Sequence, residues 1–127
     1  MVTFYGYAKC STCRKAKAYL TAQGIVVREI DITTHPPSKA QLQAMVESGA
    51  YHLPELFNRS GELYRQFNMK TRLRELDSGA LLDLLARHGR LIKRPIVTDG
   101  TRYTVGFDLV RMRQVWAHDA MRAHESF

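Results

Sequence analysis

Two cysteines three residues apart are the part of this chain best suited to chemistry. Cys10 and Cys13 are its only cysteines, and Ser11 and Thr12 lie between them. On the first turn of a helix, this spacing places both sulfurs on one side, close enough to form a disulfide. A helix N-terminus also favours a thiolate and lowers the pKa of a cysteine there. The pair predicts reversible thiol–disulfide chemistry, with Cys10 as the nucleophile and Cys13 as the resolving thiol.

Basic residues surround this pair. The chain has 19 Lys and Arg against 12 Asp and Glu, a net charge of +7, and residues 1–28 contain no acidic residue at all. Positive side chains stabilise a thiolate and attract anions. We therefore expect an electropositive site here, whereas the rest of the charge is typical of a solvated surface. The basic residues of this stretch are Lys9, Arg14, Lys15, Lys17 and Arg28.

Zinc binding and inert burial are the two alternatives for the cysteines. Zinc needs about four ligands, and the histidines with finger-like spacing are His118 and His124. The stretch from Cys13 to His118 is far longer than the spacing of a zinc finger, so we expect no metal. Inert, buried thiols do not usually gather at a basic helix start. Redox chemistry is the favoured interpretation.

Apolar patterning predicts the elements that must position the pair. A strand at residues 2–7, a helix from Ser11 to Gln23 ended by Gly24, and a strand at residues 25–30 form a βαβ unit with parallel strands. Residues 38–90 follow as a mainly helical middle, with helices from Ser38 to Gly49, in two short pieces within 53–69, and from Ser78 to Gly89. A β-hairpin from Pro95 to Val105 and a last helix capped by Asp108, with Leu109, Met112, Val115 and Trp116 inward, complete the order.

This order predicts an α/β, thioredoxin-like fold. It consists of a four-stranded mixed sheet with helices on both faces and a helical insertion in the middle. A length of 127 residues with 45% hydrophobic residues suits one domain over residues 1–127, and residues 118–127 are expected to form a flexible tail. The chain shows no apolar run near the ~20 residues that span a bilayer and no signal-peptide pattern, so we expect a cytoplasmic protein.

Pro95 is a second indicator of a site. It directly follows Lys93-Arg94 and opens the third predicted strand. Proline within a sheet is restricted to edges, bulges and strand starts, and a strand start accounts for it. A functional cis-proline is the alternative interpretation of the residue.

Taken in order, these motifs resemble the arsenate reductase/Spx family of thioredoxin-fold proteins, over residues 2–117. The resemblance implies that Cys10 is the nucleophile and that Pro95 is a cis-proline facing it. It also implies that Arg14, Arg59 and Arg94 bind substrate. The motifs that carry it are Tyr5-Gly6, Cys10-Ser11-Thr12-Cys13-Arg14-Lys15-Ala16, Lys93-Arg94-Pro95-Ile96-Val97 and Val105-Gly106-Phe107.

The family contains enzymes and regulators, and two features of this chain bear on the choice. In arsenate reductases the nucleophile attacks arsenate, and glutaredoxin with glutathione resolves the adduct. Those enzymes usually have Ser where Cys13 stands, and they carry an arginine after the hairpin, where this chain has Val105-Gly106-Phe107-Asp108. Both features are similar to the Spx-type branch, in which the CxxC is a redox switch and the protein binds the RNA polymerase α subunit.

The leading hypothesis is an arsenate reductase-like thiol–disulfide oxidoreductase. It would hold no bound cofactor and would use glutathione, glutaredoxin or thioredoxin as reductant, with a small oxyanion or disulfide as substrate. The alternative is an Spx-type redox-sensing transcriptional regulator that binds the RNA polymerase α subunit. We expect no membrane partner. Arg111, Arg113 and Arg122 come without a DNA-binding motif, so we expect no direct nucleic-acid binding either.

Overall fold

A computed structural model describes residues 1–117 of the chain; the predicted tail and the pair His118 and His124 lie outside the described residues. Within residues 1–117 the chain forms four strands, six α-helices and two short 3-10 helices, the α/β class predicted. The strands are β1 (Val2–Gly6), β2 (Val27–Asp31), β3 (Ile96–Thr98) and β4 (Tyr103–Val105). The helices are α1 (Ser11–Ala22), α2 (Lys39–Glu47), α3 (Glu62–Gln66), α4 (Met69–Glu75), α5 (Ser78–Arg87) and α6 (Leu109–Trp116), with the 3-10 helices at Leu53–Leu56 and Gly89–Leu91.

These elements group into two compact units. The first consists of Met1–Ile30 and the described residues from Arg94 onward, and the second is Asp31–Lys93. The second contains α2 to α5 and both 3-10 helices, which is the helical insertion that the sequence predicts. The assignment of residues 1–127 to one domain stays a prediction.

The sheet is four-stranded and mixed, as predicted. Its strand order is β2-β1-β3-β4, and α1 connects the neighbours β1 and β2. Strand β3 runs antiparallel to both β1 and β4, and the register pairs Phe4 with Val97 and Val97 with Thr104. This pairing brings the chain before β3 beside the end of β1, which is the end that leads into the cysteine pair.

One face of the sheet packs against α1 and α6. Phe4 and Val97 form a single buried cluster with Ala16 and Leu20 of α1 and with Trp116 of α6. The adjacent row of strand residues, Tyr5, Ile96 and Val105, is buried as well, so both faces of the sheet are covered. A side-chain hydrogen bond fastens α6 to the sheet, because the indole Nε1–H of Trp116 donates to the hydroxyl of Thr104 at 2.9 Å.

The second compact unit is built on α2 and α5, which pack together. Ser38 and Gln41 form a reciprocal capping box at the start of α2, as the Ser38 cap predicts. The Leu residues of α5 are buried, and an ion pair between Lys39 Nζ and Asp83 Oδ1 at 3.0 Å joins the two helices on their exposed side. Just after α5, the chain at Gly89 passes directly against the backbone of Ile32, so that a Cβ at Gly89 would overlap the carbonyl oxygen of Ile32.

Three details differ from the predicted elements. Strand β2 begins at Val27 because the N–H of Ile25 still donates to the carbonyl oxygen of Leu20, in the turn that closes α1. Leu109 is the first residue of α6 and is 42% exposed, so its predicted inward position is wrong. Helix α4 was not predicted, because Met69 is its only buried residue. None of the described helices is long and apolar enough to cross a membrane.

Candidate redox site

Cys10 is the N-cap residue of α1, where the sequence places it. Its backbone is extended, with φ −108° and ψ 113°, and its Sγ accepts a hydrogen bond from the backbone N–H of Cys13 at 3.1 Å. The N–H of Cys10 donates to the carbonyl oxygen of Tyr7 at 3.2 Å, and its own carbonyl oxygen accepts from the N–H of Arg14. The sulfur of Cys10 therefore lies where the first turn of a helix presents unpaired N–H groups.

The two thiols differ in exposure, although both are free. Cys10 is partly exposed, whereas Cys13 is 4% exposed and belongs to the buried cluster of α1 and the sheet. Gly6 at the end of β1 lies beside this thiol: a Cβ there would be 3.4 Å from Cys13 Sγ, an ordinary contact, but only 2.5 Å from the Phe4 ring. The reading of both cysteines as buried and inert is incompatible with the exposure of Cys10.

Arg94 enters the site from the segment that precedes β3. Its guanidinium lies close enough to Cys10 to lower the pKa of that thiol, and it lies over the ring of Tyr7, with the guanidinium carbon 5.3 Å from the ring centroid. The Arg94–Pro95 peptide bond is cis, as the resemblance implies, and Pro95 also directly precedes β3. The carbonyl oxygen of Pro95 accepts a hydrogen bond from the N–H of Gly106 at 2.8 Å.

These surroundings shift the pKa values of the two thiols in opposite directions. Burial acts to raise the pKa of Cys10, but hydrogen bonds from the side chain and backbone of Cys13, with the hydrogen bond and positive charge of Arg94, lower it below the ordinary value. Burial, together with the neighbouring Cys10, raises the pKa of Cys13 to about 12 against the opposing effects of the Tyr7 backbone and the charge of Arg94. Cys10 is therefore the thiol that ionises first.

The other predicted site arginines lie in different surroundings. Arg14 is exposed on the first turn of α1, where its guanidinium donates to the carbonyl oxygen of Ala8 at 3.4 Å. Arg59 belongs to the second compact unit and is exposed between the first 3-10 helix and α3. The role of Arg59 in substrate binding stays a prediction.

Tyr7 is the residue at this site that the sequence analysis missed. Its ring is half-buried against Arg94, and its backbone contacts both cysteines. An aromatic residue three positions before the first cysteine was the available signal, but its partner Arg94 is far away in sequence. Among residues 1–117, no group of three or more His, Cys, Asp or Glu side chains lies close enough to hold a metal ion.

Thioredoxin-fold proteins are the class that this sheet and this cysteine pair define. Within that class the chain belongs to the ArsC family, whose family model matches residues 5–115. Over 116 residues it is 46% identical to the uncharacterized protein YusI of Bacillus subtilis (strain 168), covering 91% of this chain and 98% of that protein.

Similarity extends to both branches of the family. The chain is 32% identical over 113 residues to the global transcriptional regulator Spx 2 of Oceanobacillus iheyensis, covering 89% of this chain and 82% of that protein. It also superposes on the crystal structure of a possible arsenate reductase from Streptococcus mutans UA159. The TM-score is 0.82 at 34% sequence identity, over 96% of this chain and 98% of the other.

Proposed function

We propose that this protein is an arsenate reductase-like thiol–disulfide oxidoreductase that works through Cys10 and Cys13. The observation that carries the proposal is the difference between the two thiols. The partly exposed Cys10 has a lowered pKa, whereas burial raises the pKa of Cys13 to about 12. A nucleophile must be an accessible thiolate, and a resolving thiol must wait as the neutral form until its partner has reacted.

The proposed cycle balances with these two thiols as the electron source. The Cys10 thiolate attacks the arsenic of arsenate, an As–O bond breaks, and the oxygen leaves as water. Cys13 then gives up its proton and attacks Cys10 Sγ, so that an S–S bond forms and the S–As bond breaks. The bonding pair stays on arsenic, which leaves as arsenite, and thioredoxin or glutaredoxin with glutathione reduces the disulfide. A small disulfide substrate would follow the same two thiol steps.

Arg94 and Arg14 are proposed to hold the anionic substrate. Arg94 lies close enough to Cys10 to lower the pKa of its thiol, so an oxyanion that binds Arg94 would be near the nucleophile. Arg14 lies one helical turn from Cys10 and is exposed. Guanidinium groups bind oxyanions in a bidentate manner and stabilise negative charge in the transition state. We also propose a cytoplasmic location, where such reductants operate.

A coupled assay of NADPH oxidation tests the enzyme proposal. It is run with arsenate and with a small disulfide, each with the thioredoxin and the glutaredoxin–glutathione systems. We expect arsenate-dependent turnover that Cys10→Ser abolishes and that Arg94→Met lowers about a hundredfold in kcat/KM. Arg113→Met removes an exposed charge elsewhere in the first unit and serves as the matched control. Multiple turnovers of Cys13→Ser at the wild-type rate with every reductant would contradict the resolving role.

An Spx-type redox-sensing regulator is the second candidate. The observation that favours it is the similarity to the Spx 2 regulator across most of both chains, together with a second cysteine at position 13. In that case the Cys10–Cys13 disulfide would switch binding to the RNA polymerase α subunit, and the helical middle around residues 49–65 would form the contact.

A pull-down with the C-terminal domain of the α subunit distinguishes the two candidates. The protein is offered oxidised and reduced, with Cys10→Ser as the variant that cannot form the disulfide. Capture that depends on the redox state, combined with no consumption of NADPH on addition of arsenate or the disulfide, would reject the enzyme proposal. Turnover without capture in either redox state would reject the regulator.

A further inference from the structure

Tyr7 lies against both cysteines and Arg94. Its carbonyl oxygen accepts a hydrogen bond from the N–H of Cys10 at 3.2 Å, and its backbone lies close enough to Cys13 to act on the pKa of that thiol. Its ring lies under the guanidinium of Arg94, with the guanidinium carbon 5.3 Å from the ring centroid. The backbone contacts hold Tyr7 close to both cysteines, and its half-buried ring offers a surface for the long side chain of Arg94.

Arg94 needs such a surface. Within the described residues Arg94 makes no ion pair; its guanidinium lies over the ring of Tyr7 and near enough to Cys10 to lower the pKa of that thiol. An unrestrained arginine side chain samples many rotamers and loses entropy when it is held in one. A cation over an aromatic face is attracted electrostatically by the ring. We infer that Tyr7 is a positioning residue whose ring holds the Arg94 guanidinium against Cys10 Sγ.

The electrostatic surroundings of Cys10 make this role measurable. Arg94 faces the sulfur from the segment before β3, and Cys13 faces it from α1. Lys9 and Arg14 flank it in the sequence and are exposed. If the Tyr7 ring acts through Arg94, its loss must weaken the stabilisation of the Cys10 thiolate and must do so only when Arg94 is present.

This inference deepens the proposed function and rests on Cys10 as the nucleophile, but its test needs no turnover. The thiolate absorbance of the reduced protein at 240 nm is followed against pH. Because the pKa of Cys13 is about 12, the first step of the titration belongs to Cys10. If the arsenate assay shows no activity, the proposed enzymatic function is rejected, but the titration still tests whether Tyr7 acts on the pKa of Cys10.

Two variants remove the ring and one retains it. Tyr7→Leu and Tyr7→Met are expected to shift the first step upward by about half a pH unit. Tyr7→Phe keeps the ring and is expected to titrate as the wild type does. Because Tyr7 is half-buried, far-ultraviolet circular dichroism of each variant checks that the fold is kept. Agreement between the two ring-deleted variants separates loss of the ring from an effect of one particular replacement.

The same substitutions in an Arg94→Met background complete the test as a double-mutant cycle. We expect Tyr7→Leu to add no shift there, since its effect is transmitted through the guanidinium. An equal shift in both backgrounds would overturn the inference, because Tyr7 would then act without Arg94. The absence of any shift in Tyr7→Leu, or an equal shift in Tyr7→Phe, would overturn it as well.

Discussion

At the scale of single residues, the two thiols of the site differ in exposure because they lie one helical turn apart. Cys10 caps α1 and stays partly exposed, while Cys13, three residues later, points into the cluster beneath the sheet. The backbone N–H of Cys13 donates to Cys10 Sγ, so the same residue that is buried also stabilises the thiolate of its neighbour. The difference in acidity is thus a consequence of the burial of Cys13, of helix geometry and of Arg94.

Alkylation by iodoacetamide should report this difference directly. With a lowered pKa, Cys10 is ionised at a lower pH than an ordinary thiol, so its rate should rise with pH and level off early. Cys13, with a pKa of about 12, is ionised at pH 7 to only about one part in 10⁵ and should stay unmodified. Mass spectrometry of the quenched protein measures both sites, and the unfolded chain in urea is the control. Equal labelling of the two cysteines in the folded protein would contradict the assignment.

The parts of the site that are close in sequence were the parts that could be predicted. The spacing of Cys10 and Cys13 and the basic residues around them define a helix N-terminus and an electropositive environment. Arg94 was reached only through the resemblance, because strand pairing rather than spacing brings it to Cys10. The ring of Tyr7 could not be found in this way, since its contact with Arg94 is set by the path of the chain before β3.

At the scale of elements, the helices that were predicted from the sequence are those with clear end signals or clear apolar periodicity. Helix α1 ends before Gly24, which adopts φ +76°, and α2 begins at a complete capping box. Helix α4 has neither signal, because Asn68 precedes it in the left-handed conformation without a side-chain cap and only Met69 is buried. Its existence depends on tertiary packing, which a local pattern does not contain.

The attachment of α6 to the sheet can be tested at one buried hydrogen bond. Thr104→Val keeps the shape of the side chain but leaves the indole N–H of Trp116 unpaired in the core, where both residues are at most 1% exposed. We expect a loss of about 1–3 kcal/mol in the free energy of unfolding, measured with urea. Thr3→Val in β1 is the matched control, because it makes the same replacement at a strand residue that is partly exposed rather than buried. Equal stability of the two variants would contradict this role.

At the scale of the whole molecule, the net charge of +7 includes basic residues in the compact unit of Cys10 that have no acidic partner among residues 1–117. Lys17 is paired with Glu29 at 3.2 Å, whereas Lys9, Arg14, Lys15 and Arg94 make no ion pair with residues 1–117. These four unpaired charges belong to the same compact unit as Cys10. A potential produced by several charges attracts anions over a distance and depends on ionic strength. The substrate of Cys10 should therefore be anionic, whichever oxyanion or disulfide it is.

Salt dependence of the reaction of Cys10 with disulfide reagents measures that potential. The dianionic 5,5′-dithiobis(2-nitrobenzoate) should react roughly tenfold more slowly when salt rises from about 0.01 M to about 1 M, since the screening length falls from ~30 Å to ~3 Å. The neutral 2,2′-dithiodipyridine is the control. A salt effect on the thiolate itself changes both rates alike, so the ratio of the two rates isolates steering. Replacing Lys9 and Lys15 with Met should flatten the ratio. A ratio that does not change with salt in the wild type would show that the basic residues do not steer anions to Cys10.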